Sequence, residues 1–266
     1  MKPMVKAILG NVGRGLAVSW LPIGIGSSIV SRALVRKTFS EPKTRVDAEE
    51  AKNIVKENLP DTEIEIREKL KNNAFLDATA AKKKPDKVIL PGQGKPPAAV
   101  LYHEIGHGKD FSTDRKKKIN AYEAGMVGIK MGYSAPIMAQ IFRLMKPSAV
   151  SAGMIPATAL VSGVAAAIGG IPVVRAETRA SENAIKMMKE KGYSKEDIAE
   201  AEKALERAKA TYKITAVTPL LAGAASAAGY LLKKKMGVKP GPLARLESRI
   251  IEKIRPFVNN VLKMES

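Results

Sequence analysis

The sequence predicts a mainly α protein with a small β element and apolar, membrane-associated helices. Three observations carry that expectation. Uncharged runs interrupt a charged chain, two short stretches read as strands, and one H-E-x-x-H string follows the second of them. Apolar residues every three or four positions mark helices, and strict alternation marks strands.

Taken in order, the first uncharged run is Gly15–Ser31, with the only tryptophan, Trp20. Lys2, Lys6 and Arg14 precede it, as in a signal peptide, but Arg32, Arg36 and Lys37 follow at once, which favours a retained anchor or interfacial helix. Val46–Leu59 has Ala48, Ala51, Ile54, Val55 and Leu59 at helical spacing. Thr62–Arg67 puts Ile64 and Ile66 on one face of a strand, and Asp86–Pro91 reads as a second strand. Asp77–Lys87, with Lys82–Lys84, reads as an exposed loop.

The string His103-Glu104-Ile105-Gly106-His107 contains both histidines of the 266-residue chain. Residues four apart share a helix face, so both imidazoles can reach one metal ion, with Glu104 beside it as general base. The chain has no cysteine, so thiolate ligands and disulfides are excluded. With no third histidine, and Asp110 and Thr113 where an extended H-E-x-x-H-x-x-G-x-x-H motif has its glycine and last histidine, a zinc site needs a carboxylate as third protein ligand. Asp110, Asp114, Glu123, Glu177, Glu182 and the acids of the 190s and 200s are the candidates. Asp110 and Asp114 lie within two turns of His107 and suit a hydrogen bond to an imidazole N–H better than ligation.

Glu177 opens Glu177-Thr178-Arg179-Ala180-Ser181-Glu182-Asn183-Ala184. This E-x-x-A-S-x-x-A string resembles the ligand helix of the membrane-bound neutral zinc metallopeptidases (the YugP-like family) and, more distantly, that of HtpX-like gluzincins. Small Ala180 and Ala184 would let the two motif helices approach closely. The order helix, strand, loop, strand, zinc helix is also similar to that family, as are Ile171-Pro172-Val173 before the glutamate and a helical hairpin ending at Thr211-Tyr212. The likeness covers roughly residues 45–232. One departure is Ala74–Thr79, which lacks the family's histidine-containing segment. The resemblance implies a gluzincin-type core with zinc held by His103, His107 and Glu177. A tyrosine or Arg179 would serve as oxyanion donor, and the strand near Val88–Leu90 would pair with an extended polypeptide substrate.

Two further uncharged runs follow, Pro147–Val174 of 28 residues and Ile214–Leu232 of 19. A hydrocarbon core about 30 Å thick takes roughly 20 residues of helix. Ligands on both sides of the first run must face the same side of a membrane, so the chain between them crosses an even number of times. Ala121–Phe142 would then form the first arm of a hairpin with its turn at Arg143–Pro147. The other arrangement is a re-entrant pair of short helices broken at Pro156. Ala165/Gly169 and Gly223/Ala227 suit close helix packing in lipid. Ser194-Lys-Glu-Asp197 reads as a helix start.

Net charge is +19. Lys233–Lys235 beside an apolar run, and a basic amphipathic tail from Leu243 to Leu262, suit anionic membrane lipid. Aromatics are only 5% of the chain and no recognition motif occurs, so nucleic acid is not an expected partner. The expected organisation is an anchor over 1–39, a metallopeptidase core over 40–213 interrupted by an apolar hairpin at about 120–174, and an apolar helix with basic tail over 214–266. The expected function is zinc-dependent peptide-bond hydrolysis at a membrane. The alternative is a non-catalytic membrane-interaction or scaffold protein with a zinc site or its remnant.

Overall fold

Helix α1, Ala48–Asn58, opens the chain's first compact unit in a computed structural model that describes residues 30–31, 33–34, 43–68, 75–77, 87–145 and 154–236. Asp47 caps it by accepting from the Glu50 N–H at 2.9 Å, and Ala51, Ile54 and Val55 form its buried stripe. The expected N-terminal anchor, the basic tail and most of the lysine-rich loop lie outside the described residues.

Strands β1 (Glu63–Arg67), β2 (Phe75–Asp77) and β3 (Lys87–Pro91) form one sheet in the order β1-β3-β2. β1 runs parallel to β3, with Ile64 opposite Val88, while β2 runs antiparallel, with Leu76 opposite Val88. β1 and β3 are the two strands read from sequence; β2 falls in the Ala74–Thr79 stretch, too short for alternation to reveal. Its place also corrects an expectation. β3 is central, paired with β1 along its length and with β2 over Lys87–Ile89, so Val88 and Ile89 have no edge left to pair with a substrate.

Helix α2, Ala98–Ser112, carries H-E-x-x-H. No side chain caps it; instead the Ala98 N–H donates to the Thr44 carbonyl at 3.0 Å and Arg45 bridges to Pro97, so the segment before α1 holds the start of α2. Three long helices follow: α3 (Arg115–Met145), α4 (Met154–Glu190) and α5 (Lys195–Met236). Ser194 accepts the Asp197 N–H at 3.1 Å, the cap expected at the start of α5. α4 continues unbroken from Met154, with Pro156 in its first turn, so no pair of short helices forms there.

The described residues fall into two compact units. One takes in the chain up to Met126 together with Gly170–Ile214; the other takes in Val127–Gly169 and the chain from Thr215. In the first, Val55, Val88, Leu90, Leu101, Ile105 and Met188 centre a core drawn from α1, β3, α2 and α4. The second is built the other way about. Its interior includes Ala159, Ser162, Ala166, Thr218, Ala222 and Ser226, whereas Val127, Met131, Val161, Ile168, Leu221 and Leu231 are exposed, Val161 by 69%. Glycine permits its close crossings. A methyl on Gly223 would lie 2.3 Å from the Ala159 carbonyl oxygen, and one on Gly163 2.5 Å from that of Pro219. The Tyr133 hydroxyl donates to the Thr215 carbonyl at 3.1 Å. Two described helices, α4 and α5, are long and apolar enough to cross a membrane.

Candidate metal centre

Crossing of α2 and α4 creates the site. A methyl at Gly106 would meet the Ala180 carbonyl oxygen at 2.3 Å, so only glycine inside the H-E-x-x-H turn admits this approach. Ala180 and Ala184 are fully buried on the facing side. Asn183 Nδ2 donates across the crossing to the Gly106 carbonyl at 3.3 Å.

The crossing brings His103, His107 and Glu177 together, all buried, with one ligand atom from each within 4.8 Å of the others. Glu177 Oε2 is 3.1 Å from His103 Nε2 and 3.5 Å from His107 Nε2. For metal–ligand bonds of about 2.0–2.1 Å, the edges of a tetrahedron are about 3.3–3.4 Å. The group fits one small cation.

Hydrogen bonding makes the same point. The Ser181 hydroxyl donates to the Glu177 carbonyl at 2.7 Å, so its oxygen, 3.3 Å from His103 Nδ1, is left to accept the imidazole N–H. With Nδ1 held on Ser181, the ring presents Nε2 to Glu177 Oε2. Burial opposes charge on Glu177, but hydrogen bonds and charge from His103 and His107 outweigh it and hold the carboxyl well below the usual carboxylate range. These residues could hold a metal ion.

Tyr122 of α3 donates its hydroxyl to Glu177 Oε1 at 2.9 Å. Its ring stands edge-on to His107 at 6.2 Å and to Phe111 at 6.0 Å, while Phe111 stacks on His107 at 5.5 Å. Burial first, then the Glu177 carboxylate, pushes both the Tyr122 and the Tyr212 hydroxyl well above the usual tyrosine range. Both remain protonated donors. Glu104 is partly exposed and close enough to act on both tyrosines through its charge.

Other candidates are placed elsewhere. Asp110 does not take an imidazole N–H. Its two oxygens accept Arg179 Nε at 2.8 Å and Nη2 at 2.9 Å, and Lys118 Nζ adds a bond of 3.0 Å. His107 Nδ1 is buried without a hydrogen-bond partner. Asp114, in the turn after α2 with φ 52°, and Glu182 are exposed; neither they nor Glu123 joins the group. Arg179 is committed to Asp110, which leaves the tyrosines as the hydroxyl donors at the centre. Sequence reasoning gave Ser181 and Tyr122 no role. Ser181 had a signal, being four residues from Glu177 on one helix face; Tyr122 reaches the site only through tertiary structure. No protein-family model, curated protein or solved structure matches the chain.

Proposed function

We propose that the protein is a zinc metallopeptidase of the gluzincin type, acting on polypeptides at or in a membrane. The convergence of His103 Nε2, His107 Nε2 and Glu177 Oε2 carries this reading. Two imidazoles and one carboxylate are a zinc-peptidase donor set that leaves a coordination position for chemistry. Zinc bound there would polarise the scissile carbonyl and acidify a water molecule. Glu104 would take the proton as the water oxygen bonds to the carbonyl carbon. It would then pass that proton to the nitrogen as the C–N bond breaks. Tyr212, held protonated, would offer a hydroxyl donor to the negative charge that develops on the carbonyl oxygen. With β3 central, an extended substrate would add at an outer edge of the sheet; β2, which packs against α2, is the nearer one.

The membrane part rests on the inverted unit. Small and hydroxylated side chains inside, with valine, isoleucine, methionine and leucine outside, suit helix packing in lipid and give a large apolar patch in water. Anionic lipid suits the net charge of +19.

The test is metal content and hydrolysis of casein or model peptides by protein purified in detergent. The expected result is about one zinc per chain with turnover. Glu104→Gln should retain the metal and lose at least about a hundredfold in rate, and His107→Ala should lose both. Full metal occupancy with no hydrolysis of any polypeptide would favour the scaffold reading. Absence of metal uptake would overturn the centre itself.

A further inference from the structure

The two oxygens of Glu177 are used differently. Oε2 faces both histidines, at 3.1 and 3.5 Å, while Oε1 accepts the Tyr122 hydroxyl at 2.9 Å. Tyr122 comes from a third helix, α3, and its ring is packed with Phe111, Ile119 and Ala176 and set edge-on to His107. The hydroxyl is therefore held in place by packing that does not depend on Glu177. Its aim is fixed.

From this geometry we infer that Tyr122 is a positioning residue that keeps Glu177 a one-oxygen ligand and so preserves an open coordination position. The inference rests on the metal reading of the centre. A carboxylate free of its hydrogen bond can swing to offer both oxygens to one ion, which raises the coordination number and fills the place a reacting group needs. An O–H on Oε1 opposes that swing, because the second oxygen would have to give up a part-buried hydrogen bond. Tyr122 thus acts on the metal through Glu177.

Cobalt(II) is the probe, because its visible absorption is strong when four-coordinate and weak at higher coordination, and it can be read without substrate. The detergent-purified protein loaded with Co²⁺ is expected to give the strong spectrum. Tyr122→Phe keeps the ring and removes only the hydroxyl. It is expected to weaken the absorption toward the five-coordinate level and to change Co²⁺ affinity by about tenfold or more. Ile119→Ala loosens the packing that aims the hydroxyl but keeps the hydroxyl, and should shift the spectrum in the same direction by less than Tyr122→Phe. A Tyr122→Phe spectrum superimposable on the parent's overturns the proposal, whatever happens to turnover. A change in Ile119→Ala as large as that in Tyr122→Phe or larger also overturns it, because packing and not the hydroxyl would then set the coordination. Failure of the parent to take up Co²⁺ sinks the metal reading, a result distinct from either.

Discussion

Asp110 shows how one side chain can be assigned the wrong partner by spacing. Three residues past His107, it lies within reach of that imidazole along the helix, yet Arg179 offers a planar fork that fills both carboxylate oxygens. Arg179 is two residues from Glu177 and Asp110 three from His107, so this pair ties α2 and α4 together beside the candidate centre. Burial raises the Asp110 pKa, but the hydrogen bonds and charges of Arg179 and Lys118 outweigh it and leave the group below its usual value. A lowered carboxyl pKa stabilises the fold above the unfolded-state value, and that stability is lost as pH falls through the folded value. The parent should therefore lose stability steeply below about pH 4, the unfolded aspartate value. Asp110→Asn should be less stable at neutral pH, with a flatter acid limb in a denaturant titration. Equal acid slopes for the two proteins would rule this out.

At the scale of elements, the α2–α4 crossing is the most sensitive point. Gly106→Ala places a methyl 2.3 Å from a backbone oxygen that cannot rotate away, so the helices must part. Overpacking of this kind costs about 1–3 kcal/mol, and because Glu177 lies one turn from Ala180, zinc affinity should fall with stability. Thermal melting and a zinc-chelator competition would check both. Much of this level was legible in the sequence: α1, β1, β3 and the Ser194 cap follow from periodicity and capping chemistry, which are local. β2 was not, since three residues carry no period. Nor was the central place of β3, because strand order is decided by which strands pair and not by any one of them. The same limit hid Tyr122. Its bond to Glu177 spans 55 residues, and nothing near it in the chain marks it.

For the molecule as a whole, two expectations follow from the centre and from the inverted unit. On the proposed reading zinc would bind the folded chain only, so at a free concentration of 100 times Kd it should raise stability by about 2.7 kcal/mol. Calorimetry with and without chelator would show this as a fall in Tm on metal removal, and His103→Ala should abolish the difference. The exposed valines, isoleucines and leucines of the second unit predict that the protein sediments with vesicles and is not released by about 1 M salt, which screens electrostatic attachment. Release by salt would reduce the attachment to charge alone.

The hydroxyl of Tyr133 on the Thr215 carbonyl has a meaning for how the chain is put together. Pro219, four residues on, has no N–H to give that carbonyl, so α5 is built with a missing rung. Shut away from water, a carbonyl without a partner costs about 1–3 kcal/mol. The remedy comes from α3, which leaves the ribosome some eighty residues earlier. Synthesis thus delivers the plug ahead of the hole, and a chain rearranged so that α5 is made first would emerge with its defect uncovered.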